Sequence, residues 1–228
     1  MGLNYKINML NNTTDITMML GLENQVFESE FKVVQSDYFK WRRIIDLFFS
    51  VLIIPFAIPF FVVIAVLLIY EQKGNILYTQ MRAGINAKPF KIYKFRTMMD
   101  SKFDESNYLY HDANRETKFG KILRKHRLDE LPQLFNILLG DMNLIGPRPE
   151  AYCQYTYFVS RISDYNKRKL ITPGLTGYAQ VEYKYCKTFE DTLRRLEYDI
   201  YYLENASLLL DIKIISKTIL QMLKGTNS

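Results

Sequence analysis

Asp129 and Glu130 stand side by side in Leu128-Asp129-Glu130-Leu131-Pro132-Gln133-Leu134, just after Arg124, Lys125, His126 and Arg127. Two carboxylates beside a cluster of cations can divide two tasks, one attacking phosphorus as a nucleophile and the other holding magnesium. The neighbouring positive charge is expected to depress the carboxylate pKa, so that the acid stays ionised. A plainer role is equally compatible with the pattern. Asp129 suits the N-cap of a helix, Pro132 is tolerated in a first turn, and the helix dipole favours acids there. A helix start among cations is, however, also how phosphate is gathered.

Other segments could serve such a centre. Ile76 to Gln80 and Phe90 to Arg96 alternate apolar and polar residues and read as short strands. The second places Ile92, Lys94 and Arg96 on one face and Lys91, Tyr93 and Phe95 on the other. Lys94 and Arg96 are phosphate-binding candidates, although lysines also guard solvated strand edges. The run from Gly140 to Pro149, ending Gly146-Pro147-Arg148-Pro149, is a rigid turn region that would hold Arg148 on a fixed backbone, as bidentate phosphate binding requires. It would serve equally as a proline-rich connector. Pro173-Gly174-Leu175-Thr176-Gly177-Tyr178 is a glycine-punctuated loop whose amides could approach a ligand. His111 and His126 have no metal-ligand companions at useful spacing. The sequence holds no GxxxxGK[ST], GxGxxG or GxSxG motif, which excludes P-loop ATPases, Rossmann dehydrogenases and typical serine hydrolases.

These residues need elements to position them. From Leu47 to Tyr70 runs an uncharged stretch of 24 residues, long enough to cross a hydrocarbon core of about 30 Å. Pro55 and Pro59 interrupt it, and the expectation is two half-helices, the second 12 residues and so about 18 Å long. Lys40, Arg42 and Arg43 precede the stretch while Lys73, Arg82, Lys88, Lys91 and Lys94 follow it, so both ends favour the cytoplasmic side. A re-entrant helix bent at proline satisfies both facts; a kinked full span is the alternative. A second apolar pattern, Leu208 to Leu223 with Asp211, Lys213 and Lys217 interspersed, suits an interfacial helix or one packed on a core. A helix is also expected over residues 118–128 and a short one near 15–28. Residues 1–37 read as a polar extension without a signal pattern.

The whole chain has 228 residues, 48% of them hydrophobic, enough for a core, and its net charge of +6 favours an anionic partner. Cys153 and Cys186 fit neither a disulfide framework nor a zinc site, and a reducing compartment is the simpler setting.

Taken in order, Phe90 to Met98, Arg124 with Leu128 to Leu134, Gly140-Asp141-Met142 with Gly146-Pro147-Arg148-Pro149, and Pro173 to Val181 resemble the bacterial sugar transferase family, the monotopic phosphoglycosyl transferases. The resemblance covers roughly residues 38 to 224. It implies that Asp129 attacks the β-phosphate of a UDP-sugar, expels UMP and passes the phosphosugar to polyprenyl (undecaprenyl) phosphate. It also implies Mg2+ held by Asp129 and Glu130, a bend at Pro59, and phosphate or substrate contacts from Lys94, Arg96, Arg124, Arg148, Gly174 and Gln180. Three departures stand out. Ile58 occupies a position where serine is common before the bend proline. Thr172 replaces a common basic residue and Tyr178 a common tryptophan, leaving Lys169 or Lys184 as substitutes. Arg127 stands where small hydroxyl residues are frequent.

The expected fold is α+β: a monotopic membrane protein with a proline-broken re-entrant helix, a small β element and interfacial amphipathic helices. Residues 1–37 would form the extension, 38–72 the membrane helix and 73–228 the catalytic domain, facing the cytoplasm at a bacterial inner membrane. The expected partners are a UDP-sugar, polyprenyl phosphate and membrane lipids, with no nucleic acid; a homo-oligomer is compatible with the sequence. Two other readings stay open: a membrane-tethered basic module binding lipid or RNA, and a single-pass scaffold of a glycan-assembly complex.

Overall fold

The computed structural model describes residues 37–72, 74–99, 115–183 and 188–225. The expectations for the extension before residue 37, the short helix near 15–28, His111, Lys184 and Cys186 fall outside them. Mixed α and β structure is observed, with helix predominating. Helix α1, Asp37–Glu71, leads into the antiparallel hairpin β1 (Leu77–Ala83) and β2 (Pro89–Phe95), registered from Leu77↔Phe95 to Ala83↔Pro89. Then come α2 (Lys118–Lys125), α3 (Gln133–Leu139), β3 (Asn143–Ile145), α4 (Tyr152–Val159), β4 (Gly174–Thr176), α5 (Tyr178–Glu182), α6 (Phe189–Asn205) and α7 (Leu208–Lys224). The loop expected at Pro173 to Tyr178 thus contains a strand, and β4 pairs in parallel with β3, Asn143↔Gly174 and Ile145↔Thr176. Glycine permits that pairing: a Cβ at Gly174 would lie 2.0 Å from the Gly146 nitrogen.

Among the described residues α1 alone is long and apolar enough to cross a membrane. Its 35 residues form one helical element that contains Pro55 and Pro59, in place of the two half-helices expected. Each proline removes a single backbone bond, and the turns on either side carry the helix through. One face of α1 is buried along its whole length, through Arg42, Asp46, Ser50, Ala57, Ile64 and Leu68. The other faces expose Trp41, Phe48, Phe56, Phe60, Val63 and Tyr70.

Both ends of α1 are fastened to the same domain. At the start, Arg43 donates to the carbonyls of Ile137 (2.6 Å) and Met142 (2.9 Å). Arg42 donates to the Tyr202 hydroxyl and the Ile145 carbonyl and lies 3.5 Å from Asp211 of α7. At the far end the Phe119 amide donates to Glu71 (2.9 Å) and Gln72 donates to the Arg96 carbonyl (3.2 Å). Arg42 and Arg43, expected as membrane-flanking charges, also tie the start of α1 to the domain, Arg42 buried and Arg43 partly so.

The buried core is shared with α1. Ala57 packs with Phe90, Ile92, Leu134, Ile137 and Met142, and Ile64 and Leu68 pack with Phe95 and Leu123. Helix α7 buries Ile214 against Ile145, Val181 and Tyr202 but exposes Leu208, Leu209, Ile212, Ile219 and Leu223. It therefore packs one face on the core, the second of the two sequence expectations, and leaves another apolar face exposed.

Candidate active site

Helix α2 starts at the Thr117 cap, where the side chain accepts from the Gly120 amide, and it ends at Lys125. The chain then reverses through Arg127, whose φ of 56° is left-handed, and runs into a 3-10 turn at Leu128–Glu130. Regular helix resumes only at Gln133, with Pro132 in the capping position. Asp129 is therefore not the N-cap that its sequence position suggested. It lies inside a tight turn between two helices because the left-handed residue ends α2 too late for a fresh cap at 129. Both acids are buried there, Asp129 to 9% exposure and Glu130 to 6%.

The two carboxylates are treated differently. One oxygen of Glu130 receives both Lys94 Nζ at 2.7 Å and Arg148 Nη2 at 2.8 Å. Burial alone would raise the Glu130 pKa, but Arg148 and Lys94 outweigh it and hold the carboxyl well below the usual carboxylate range. Asp129 accepts no hydrogen bond from a described residue. Burial, reinforced by the negative charge of Glu130, pushes its pKa upward against the pull of Lys94, Arg124 and Arg148. The expected depression is thus found at Glu130 and not at Asp129. The reason is geometric: the cations bond to Glu130, and Asp129 feels them only at a distance.

Arg148 reaches Glu130 from a turn pinned at four successive carbonyls. The Gly174 amide donates to the Pro147 carbonyl (3.0 Å), Arg168 to that of Arg148 (3.4 Å), Arg82 to that of Pro149 (3.0 Å), and the Ala83 amide to that of Glu150 (3.0 Å). The Arg168 guanidinium, itself buried, also pairs with the partly exposed Glu150 and lies 2.6 Å from the buried Asp199. Removing one member of such a buried network leaves uncompensated charge. Arg168→Met is expected to lower stability by about 3–5 kcal/mol, measured as a fall in thermal midpoint; a fall no larger than at an exposed arginine such as Arg194 would count against the network.

Of the remaining candidates, Arg124 acts on Asp129 through its charge while its Nε lies 3.2 Å from Glu116. Arg96 is placed elsewhere, its guanidinium packed against Gly74 at the base of the hairpin. Gly174 spends its amide on Pro147, so its role in the structure is backbone packing. Gln180 is buried beneath β4, with its amide directed to the Leu175 carbonyl (3.4 Å). Lys169 donates to the Ala83 carbonyl (2.9 Å), and burial pushes its pKa down to about 7, so it holds the hairpin rather than replacing a base at Thr172.

Two cations near the dyad did not emerge as site residues from the sequence. Arg82 is half-buried beside Arg148 and Glu130, with its pKa lowered by burial to about 10. Strand alternation places it with Tyr78 and Gln80, but nothing marks that face as the inward one. Arg127 is buried to 7% exposure and donates to Gln221 of α7 (3.2 Å).

A cavity of about 170 Å³ opens between α1 and α3, lined by Ile54, Ala57, Ile58, Phe61, Leu131 and Leu134 among others. Its lining is wholly apolar and begins one residue after Glu130. Among the described residues no group of three or more His, Cys, Asp or Glu is gathered for a metal. The dyad still fits magnesium, which commonly takes only one or two carboxylates and completes its shell with water and substrate phosphate.

Comparison with known proteins places this arrangement. The model of the family described as bacterial sugar transferase matches residues 37–225. The UDP-N-acetylgalactosamine-undecaprenyl-phosphate N-acetylgalactosaminephosphotransferase of Aeromonas hydrophila is 40% identical over 81% of this chain and 44% of its own length. The UDP-glucose:undecaprenyl-phosphate glucose-1-phosphate transferase of Klebsiella pneumoniae is 38% identical over 78% of this chain and 39% of its own length. That of Caulobacter vibrioides is 37% identical over 82% and 71%. The chain spans less than half the length of the first two relatives. With its dyad, its clamping cations and its apolar helix inside the matched region, the chain belongs to the bacterial sugar transferase family.

Proposed function

We propose that this protein transfers a sugar 1-phosphate from a UDP-sugar to polyprenyl phosphate through a covalent intermediate on Asp129. The observation that carries the reading is the contrast within the dyad: Glu130 is clamped by two cations, while the adjacent Asp129 is buried, unbonded and close to positive charge. A carboxylate without hydrogen bonds is less stabilised as a base and therefore a stronger nucleophile. An Asp129 oxygen bonds to the β-phosphorus, and the bond from that phosphorus to the bridging oxygen breaks. Its electron pair leaves with UMP. A phosphate oxygen of the lipid carrier then attacks the same phosphorus and frees Asp129. Lys94 and Arg148 keep further N–H donors beyond those spent on Glu130, and with Arg124 they face the charge that builds on the phosphoryl oxygens. The names of the relatives support donor and acceptor classes of this kind.

Magnesium on the Asp129 and Glu130 carboxylates would supply further neutralisation of the donor's diphosphate. We assign residues 38–72 to a re-entrant membrane helix bent near Pro59, and residues 73–228 to a catalytic domain on the cytoplasmic face. The attachment of both ends of α1 to one domain supports that path, since a straight helix of 35 residues would separate its ends by about 52 Å. Exposed apolar residues on α1 and α7 fit contact with lipid.

The apolar cavity is the seat we assign to the first part of the acceptor chain. Its 170 Å³ is comparable to an apolar cavity of about 150 Å³ that holds benzene, a molecule similar in size to one isoprene unit. Ile58→Trp should fill it and raise the KM for polyprenyl phosphate about tenfold, the equivalent of roughly two buried methylenes. Unchanged acceptor kinetics would move the carrier to another surface. The reaction itself is tested by supplying the purified protein with UDP-sugars in nanodiscs, without acceptor. UMP release together with a phosphosugar mass adduct is expected; the absence of both across a panel of UDP-sugars would defeat the proposal.

A further inference from the structure

Among the described residues, Arg127 is a buried cation with an unusual backbone. It adopts a left-handed backbone, which a long side chain rarely does without a local reason, and its side chain is 93% enclosed, with 7% exposure. One guanidinium nitrogen, Nη2, is engaged by Gln221 Oε1, and Gln221 is itself anchored through its amide to the Val181 carbonyl (3.1 Å). Nε and Nη1 are buried and have no hydrogen-bond partner. Those two atoms carry one and two hydrogens respectively, donors that a folded protein does not normally leave unmet.

The nearest acids do not account for them. Glu130 is engaged by Lys94 and Arg148, and the Asp129 carboxylate accepts nothing from Arg127, although both acids attract its charge. The Gln221 tether fixes the guanidinium in place beside the dyad. A fixed, desolvated guanidinium with open N–H groups next to a nucleophile is a receptor for an anionic oxygen group arriving with substrate.

Resting on the sugar-phosphate transfer reading above, we propose that Arg127 is an additional phosphate-binding residue. Its open donors bind a phosphate oxygen of a substrate, either the nucleotide's α-phosphate, retained in UMP, or the phosphate head of the lipid acceptor. Both sources present the same chemistry, and the left-handed turn places the side chain where either could meet it.

The test uses the full chain in nanodiscs as wild type, Arg127→Ser and Arg127→Lys. Loss of a charged hydrogen bond of this kind corresponds to about a 10- to 100-fold weakening. If the phosphate is the nucleotide's, Arg127→Ser raises the KM for the UDP-sugar by that factor, and UMP no longer raises the melting temperature. If it is the acceptor's, the KM for polyprenyl phosphate rises and stabilisation by UMP persists. In either case Arg127→Lys, which keeps the charge, recovers part of the loss while kcat changes little. Both KM values within twofold of wild type would overturn the proposal, as would an equal fall in kcat in both variants without a change in either KM. Should Arg127→Ser fail to fold, the Lys variant decides by the same two KM values and the UMP melt, because Arg's planar fork is lost in it too. A wild-type protein that neither releases UMP nor responds to it would instead remove the transfer reading on which this assignment stands.

Discussion

Asp129→Asn is expected to reduce UMP release by at least about 10⁴-fold while leaving the protein folded. Replacing a nucleophile removes the covalent route itself, and in enzymes of that kind losses of about 10⁴ to 10⁶ in kcat are usual. The amide matches the carboxylate in shape, and Asp129 gives up no hydrogen bond to a described residue when it is changed. Burial raises its pKa, so the folded protein meets a cost for ionising it at neutral pH. The variant should therefore be as stable as the wild type or slightly more so. Mass spectrometry of the variant after incubation with UDP-sugar should show no adduct. An adduct, or turnover near that of the wild type, would transfer the nucleophile's role to another side chain.

Glu130→Gln should act differently, losing activity and stability together. Its carboxylate is the common partner of Lys94 and Arg148, and the amide leaves two largely buried cations without their counter-charge. Breaking a buried pair from one side costs about 3–5 kcal/mol, which for a chain of this size lowers the melting temperature by roughly 2–4 °C per kcal/mol. Activity should fall about 10²- to 10³-fold as Lys94 and Arg148, to which the proposal gives the phosphate, lose their fixed positions. The pH dependence has a definite sign. The folded Glu130 pKa is depressed, so its contribution is complete above the unfolded value of about 4.3 and disappears as pH falls through the lower folded value. The stability difference between wild type and variant should accordingly be flat from about pH 5 to 8 and shrink only in acid. A difference that shrank around neutrality would contradict the clamp.

Much of the centre is legible in the chain because short-range rules decide it. Lys94 and Ile92 share a strand face by alternation, the turn rich in proline and glycine does fix Arg148, and the acids do lie where helices meet. What escapes the sequence depends on distant partners. That Gly174 would lend its amide to Pro147 requires knowing that β3 and β4 pair in parallel, a contact between segments about thirty residues apart. Arg96 and Lys94 look equivalent on paper, yet the strand ends at Phe95, so Lys94 turns to Glu130 and Arg96 to Gly74. The sign of the Asp129 shift could not be read either, because proximity in sequence places cations near both acids and only geometry shows which acid they bond. Likewise Pro55 and Pro59 suggested two separate half-helices where one helical element contains both, with one face buried along its length.

The turn carrying Arg148 has one more implication. Its four carbonyls are gripped from β1, from the strand after it in the parallel pair and from the segment before that strand, so no single hinge can loosen it. The guanidinium's place is thereby a property of the assembled domain, and catalytic competence and global folding become one cooperative event: a chain that has lost the first should, on heating, already have lost the second.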